Sequence, residues 1–245
     1  MKNLVEVKNL KKNYGTKNAV KNISFSIKEN EILGLLGPNG CGKTTTIGMM
    51  LGLLKPTSGE ILIDGKKIEE SRIEILKKIN FISPYIELPK KLTVRQNLIV
   101  YGKLYNVENV NQRVEYLTEK LRLSDLLHRI TGELSSGQKN RISLAKALIN
   151  DPIVLLLDEP TASLDPEIGD YVRTFLEDYK KEKKISILLA SHNMNEVTRL
   201  CKTVLMMKEG IIIDKGCPEE LIKKHGRKNL EEVFLKLSRS KNELY

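Results

Sequence analysis

The sequence predicts an α/β fold built on a mostly parallel sheet, and three observations carry that prediction. Short apolar runs that end in glycine or acid, such as "ILGLLG" at 32–37 and "IVLLLD" at 153–158, suit strands buried on both faces. Helical periodicity separates several of these runs, as crossover helices separate parallel strands. A long stretch from about residue 88 to residue 150 then shows helical spacing and few strand signals.

Taken in order, "LVEVKNL" near the start and "ISFSI" at 23–27 alternate apolar and polar residues, as half-buried strands do. The run at 32–37 is the first fully buried strand. A helix is expected from Lys43 to about Leu53, stopped by "KPTSG", and "EILIDG" at 60–65 reads as strand and turn. In the helical stretch, "LTVRQNLIVYGKLY" and "VNQRVEYLTEKLRL" carry the helical period. Strands return at 153–158, 185–190, 203–207 and 210–214, and 219–237 reads as two short helices. The expected organisation is a single domain with a core at 1–84 and 152–216, a helical insert at 85–151 and a helical tail at 217–245.

Composition narrows the class. The chain has 245 residues, 40 % of them hydrophobic and 29 % charged, which is the balance of a globular protein with a sizeable core. No apolar run reaches the ~18 residues of a membrane span, and "MKNLVEVKNL" has no apolar signal region. Work at a membrane would therefore need a membrane part from another chain. The cysteines Cys41, Cys201 and Cys217 form no CxxC pair and no metal-ligand spacing, which fits a reducing, cytosolic setting. With 41 basic and 31 acidic residues the net charge is +10. The lysines are spread along the chain and few aromatics lie among them, so a solvated basic surface is the simpler reading and no nucleic-acid partner is expected.

"GPNGCGKTT" at 37–45 follows a buried strand and opens a helix, and it fits the pattern G-x-x-x-x-G-K-[ST]. Its residues Gly37, Pro38, Asn39, Gly40, Cys41, Gly42, Lys43, Thr44 and Thr45 form a phosphate cradle. Glycines let successive backbone N–H groups turn inward, and the helix N-terminus adds positive potential. Lys43 is placed to reach the β- and γ-phosphates of a nucleotide, and the Thr44 hydroxyl to coordinate Mg²⁺. Cys41 reads as a small tolerated side chain in the loop.

"IVLLLDEP" delivers two carboxylates at the end of a buried strand. Asp158 suits Mg²⁺, directly or through water. Glu159 suits a general base that orients and deprotonates an attacking water. "ILLASHN" repeats the geometry and presents His192, which either hydrogen-bonds a γ-phosphate or serves as a capping or loop histidine. His128 and His225 lie in polar helical surroundings without an evident chemical role.

The segment "ELSSGQKNR" at 133–141 carries no catalytic side chain, only two serines, a glycine and an amide ahead of the amphipathic "ISLAKALI". Together with "GPNGCGKTT", "VLLLDEP", "SLD" at 163–165 and "SHN", in this order, it makes nearly the whole chain resemble the nucleotide-binding domain of ABC transporters. The resemblance implies a P-loop NTPase core with a mostly parallel sheet, an N-terminal antiparallel β-subdomain and a helical insert subdomain. It implies that two subunits pack head to tail around two ATP–Mg²⁺. Ser135, Ser136, Gly137 and Gln138 of "LSSGQ" would then crown a helix running to about Ile149 and bind the γ-phosphate held by the partner subunit. Tyr14 matches the aromatic that stacks on adenine, with core packing as its alternative. Asp165 matches the loop that crosses the dimer and couples the sites.

Two departures stand out. Ser136 occupies a position where the family usually has glycine. No glutamine follows the strand before the helical insert: that slot falls near Pro84, and Gln96 lies in the helix beyond. Within the superfamily, "KLTVRQNLIVYGKLYNV" and "NLEEVFLKL" are similar to the stand-alone ATPases of export systems. The implied function is an ATP-hydrolysing motor, peripheral on the inner face of the cell membrane, that drives a separate integral membrane permease. A soluble ABC-type ATPase acting on nucleic acid or ribosomes is the alternative that the +10 charge keeps open. A single P-loop and the absence of a zinc pattern speak against it.

Overall fold

A computed structural model describes residues 2–84 and 86–239. In chain order its elements are β1 (Asn3–Tyr14), β2 (Lys17–Lys28), β3 (Ile32–Leu36), α1 (Lys43–Met50), β4 (Ser58–Ile63), β5 (Lys66–Lys67), α2 (Arg72–Lys78) and β6 (Ile79–Ile82). The helices α3 (Val94–Leu104), α4 (Val110–Lys120) and α5 (Ser136–Ala147) come next, followed by β7 (Val154–Asp158), α6 (Pro166–Lys183) and β8 (Ser186–Ser191). The chain continues with α7 (Met194–Leu200), β9 (Thr203–Lys208), β10 (Ile211–Gly216), α8 (Pro218–His225) and α9 (Leu230–Arg239). It folds into two compact units, one of residues up to 75 together with 186 onward, the other of residues 76–185. Residues 240–245 of the expected tail lie outside the described residues.

The first unit holds two sheets. In one, β2, β1, β4 and β5 lie side by side and every pair is antiparallel. Its core face is set by the period-2 pattern: Val5, Val7 and Leu10 pair across to Ile27, Phe25 and Ile23, and all six are buried. Register shifts interrupt the alternation between Val7 and Leu10, where Asn9 takes a left-handed φ of 48°. The other sheet runs β10, β9, β3, β8. Here β3 is parallel to both β8 and β9. Every residue of β3 and of β8 is buried, which explains their unbroken apolar runs. β9 and β10 form an antiparallel hairpin whose turn residues Glu209 and Gly210 both have positive φ, 47° and 83°, as a type I′ turn requires.

In the second unit β6 and β7 pair in parallel, and α3, α4 and α5 supply a helical layer. α3 starts with a capping box: the Thr93 hydroxyl accepts from Gln96 N–H, and the Gln96 side chain accepts from Thr93 N–H. Gln96 therefore belongs to the first turn of α3 and is engaged there. A polar knot ties three elements together. Arg113 of α4 donates to the Leu148 carbonyl at 2.5 Å, to Asp151 Oδ1 at 2.8 Å and to the Tyr179 hydroxyl at 2.6 Å. Tyr179 of α6 donates in turn to Asp151 at 2.7 Å. Buried polar groups satisfied in this way fix the ends of their helices.

The structure shortens or adds to several expected elements. α1 stops at Met50 because Leu51 caps it and Gly52 turns the chain at φ 62°. The helical stretch includes 3₁₀ turns at Ser124–Leu126 and Thr131–Glu133. α2 has no clear signal in the sequence, and β6, the strand that the resemblance implies before the helical insert, has no pattern of its own. β6 is only four residues long and carries Asn80 in its middle, buried and donating to Asn150 Oδ1 at 2.9 Å. His225, read as lying in polar helical surroundings, is paired. Its Nε2 lies 2.6 Å from Asp214 Oδ2, and Lys224 holds the other oxygen at 2.7 Å, so the pair ties α8 to β10. Burial pushes the Asp214 carboxyl up, and hydrogen bonds from Lys224 and His225 outweigh it, leaving the group below its ordinary value.

Candidate functional site

The first unit carries the phosphate cradle. β3 ends at Leu36, and α1 begins at Lys43 with Gly42 as its N-cap. Gly42 has φ 113°, and a Cβ there would stand 2.7 Å from the Ala19 carbonyl, so only glycine serves. At Gly37 a Cβ would collide at 2.5 Å with both the Cys41 sulfur and the Met207 carbonyl. This close packing accounts for Cys41: it is buried, burial pushes its thiol up, and it fills space under the loop. Pro38, Asn39 and Gly40 form an exposed tip, Thr44 is exposed and Thr45 half-buried.

The start of α1 has no side-chain cap and no acidic residue in its first turn. Its first N–H groups and its dipole are thus suited to an external anion. Lys43 is buried, and its Nζ donates to the carbonyls of Gly37 at 2.6 Å and Pro38 at 3.2 Å. The charge is held inside the loop where phosphate oxygens would sit. The cradle therefore fits a nucleotide's phosphates.

Tyr14 and His192 belong to the same unit. Tyr14 ends β1 and is 47 % exposed, which removes the core-packing alternative. Lys12 Nζ lies 5.0 Å from its ring centroid. His192 lies just beyond β8 and is exposed. It does not cap α7; Asn193 does, accepting from Asn195 N–H and Glu196 N–H.

The second unit carries the acids and the serine-rich helix start. All of β7 is buried, and Asp158 at its end is 3 % exposed. Glu159 follows, half-buried, with a left-handed φ of 54°, a conformation that costs a non-glycine residue energy and gathers at functional sites. Ser135 is the N-cap of α5. Its hydroxyl accepts from Gln138 N–H at 3.3 Å, and Gln138 Oε1 accepts from Ser135 N–H at 3.0 Å. Ser135 is thus an ordinary cap in a capping box, yet its hydroxyl keeps a proton to donate. Asp165 caps α6, accepting from Ile168 N–H at 2.9 Å. Thr44 and Asp158 offer hydroxyl and carboxylate oxygens, the hard donors that suit Mg²⁺.

A cavity of about 190 Å³ in this unit brings Ser136, Glu159 and Ser163 together with Pro84. Asn140 lines the same cavity, and its Nδ2 donates to the Ala162 carbonyl at 3.0 Å. Sequence reasoning missed Asn140. Its only signal was its place four residues after Ser136, on the same helix face. Lys146, on the same helix, was also missed. It is buried, burial pushes it down to about 8, and its Nζ donates to the Phe81 carbonyl at 2.8 Å.

Comparison with known proteins agrees with the geometry. Residues 20–162 match the family model described as ABC transporter. The chain is 37 % identical over 232 residues to the Nod factor export ATP-binding protein I of Burkholderia orbicola (strain AU 1054), covering 94 % of this chain and 76 % of that protein. It is 36 % identical over 234 residues to the bacitracin transport ATP-binding protein BcrA of Bacillus licheniformis, covering 94 % and 75 %. An ATP-binding subunit of an ABC transporter superposes with a TM-score of 0.88 at 26 % identity, covering 96 % of this chain and 99 % of the other. A dimeric ATP-binding cassette in a post-hydrolysis state, bound to ADP and Pi, superposes with a TM-score of 0.81 at 27 % identity, covering 87 % and 98 %.

Proposed function

This chain belongs to the ABC transporter family of ATP-hydrolysing proteins, and from that premise we propose that it is the motor of an exporter, working as a head-to-tail pair on a separate membrane permease. Among the described residues no helix is long and apolar enough to cross a membrane. On this reading the motor binds the permease at the inner face of the cell membrane. The observation that carries the reading is the bare start of α1 behind "GPNGCGKTT", a helix end built to receive phosphate rather than to cap itself. The relatives named for export support the direction of transport.

The residues divide the work. Tyr14 stacks on the adenine ring. The backbone of 37–45 and Lys43 hold the phosphates, which places the γ-phosphorus for in-line attack. Thr44 and Asp158 would hold Mg²⁺, which neutralises phosphate charge when bound. Glu159 takes a proton from the attacking water as the new P–O bond forms, and ADP departs with the electrons of the broken bond. His192 hydrogen-bonds the γ-phosphate. Ser135, Ser136 and Gly137 face the partner's γ-phosphate, with Gln138 closing their cap, and Asp165 sits in the loop that meets the partner. On this reading the chain is a single ABC ATPase domain with a core at 1–84 and 152–216, a helical insert at 85–151 and a tail at 217–245. The slot where a metal-touching glutamine is usual falls near Pro84, so either another group replaces it or metal contact at this point is weaker.

The test is detergent-solubilised capture of this chain from its native cell. Recovery of a polypeptide with several apolar spans supports the motor. Recovery of ribosomes or nucleic acid without a membrane protein moves the reading to a soluble ATPase, the alternative that the +10 charge keeps open.

A further inference from the structure

The serine-rich helix start touches the loop that carries the general base of its own subunit. The segment from Glu159 to Asp165 is not relaxed. Glu159 and Ser163 both take left-handed φ values, 54° and 68°. Two tight turns fold it, with Ala162 N–H donating to the Glu159 carbonyl and Leu164 N–H to the Thr161 carbonyl, each at 3.2 Å. Such a conformation persists only where neighbours over-determine it.

α5 supplies two of those neighbours. Gly137 packs so closely that a Cβ there would meet the Ser163 carbonyl at 3.1 Å. One turn on, the Asn140 side chain reaches the Ala162 carbonyl at 3.0 Å. The partner is a carbonyl, so the NH₂ end of the amide must face it, and aspartate at this position would present only acceptors. Ser136, Gly137 and Asn140 lie on one face of α5 by their three- and four-residue spacing. The helix end proposed to read the partner's phosphate is therefore rigidly joined to the group that grips the base-carrying loop.

We propose that Asn140 is a positioning residue for ATP hydrolysis, transmitting the placement of the α5 N-terminus to Glu159 of the same subunit. Phosphate contact made by Ser135 to Gly137 across the dimer sets where α5 sits. Through Asn140 and Ala162 that placement sets where the Glu159 carboxylate points. Each subunit in this way readies its own base in response to its partner's nucleotide. The inference rests on the reading of Glu159 as the base.

The test is a cycle of Asn140→Asp, Glu159→Gln and the double variant in the full-length protein. It is read as kcat and KM for ATP, with nucleotide affinity and thermal midpoint measured alongside. Asn140→Asp is expected to lower kcat about tenfold or more, since a displacement of an ångström at a catalytic group costs up to ~100-fold. KM, nucleotide affinity and midpoint should stay near the parent values. Added to Glu159→Gln, it should lower the rate no further, because a group acting through the base has no effect once the base is gone. Parent-like kcat in Asn140→Asp, with Glu159→Gln inactive, overturns the inference and leaves the base in place. An additive loss in the double variant, or a fall in midpoint and affinity that accounts for the lost rate, also overturns it. Full turnover in Glu159→Gln overturns the assignment of the base and this inference with it.

Discussion

Two helix starts of this protein, both proposed to meet phosphate, are built in opposite ways. α1 opens on Gly42 with no side-chain cap, so its N–H groups and dipole are satisfied by what it binds. α5 opens on Ser135 with a complete capping box, so it is satisfied by its own residues before anything arrives. The difference follows from their tasks. A start that must take up nucleotide within one subunit gains affinity by leaving donors for phosphate. A start that meets phosphate only when a second subunit docks has to be ordered in the lone subunit, and the Ser135 hydroxyl proton is what it keeps to offer. On the proposed reading one region binds, and the other reads binding and carries the base.

The largest effect should separate those two tasks. Glu159→Gln should lower the hydrolysis rate by about a hundredfold or more, the usual range for a lost general base, while ATP still binds. A steady-state rate equal to the parent's would remove Glu159 from that role. Lys43→Ala acts on the other region. Losing a charge-assisted contact worth about 1.5–3 kcal/mol should weaken ATP affinity of the isolated subunit by roughly 10- to 100-fold. Titration calorimetry that finds the parent affinity would mean that α1 does not depend on its lysine.

Ser135→Ala should cost about 1 kcal/mol of cap and lower the thermal midpoint by about 2–4 °C. Turnover should fall, but ATP affinity of the isolated subunit should not change. Equal loss of affinity would show that the two starts are not separate in function. An effect seen only when pH is varied concerns Lys146, which anchors α5 to β6. Burial holds it near 8 when folded, against about 10.4 in an unfolded chain. Below pH 8 both states carry the proton, and the folded state bears the full burial penalty. As pH rises from 8 toward 10 the folded state releases the proton while the unfolded chain retains it, so stability rises with pH. The gain relative to Lys146→Met should be at most about 3 kcal/mol, because the Phe81 carbonyl and ring favour the charged form and offset part of the penalty. A stability difference between the two proteins that stays flat from pH 7 to 10 would refute it.

Much of the fold was legible because its causes are local. Buried strands such as β3, β7 and β8 announce themselves as apolar runs, and the glycine-rich loop before α1 fixes backbone geometry within a few residues. Short elements with mixed surroundings were not. β6 is four residues around a buried Asn80, and its polar side chain makes sense only once Asn150 and the Lys146 carbonyl are beside it. The partner of His225 was not legible because Asp214 is eleven positions away and on another element. Asn140 looked like one more polar residue because its partner carbonyl lies twenty-two positions on.

By itself the sequence determined the alternation of strands and helices, the phosphate-binding loop, the carboxylates at the end of β7 and the family. Each depends on residue type at short spacing, where the backbone has few choices. Tertiary structure alone decided the left-handed turn at Glu159, the grip of Asn140 on Ala162 and the depressed basicity of Lys146. Those depend on which distant groups burial brings within hydrogen-bond reach, and on which of them is left to outweigh the loss of water.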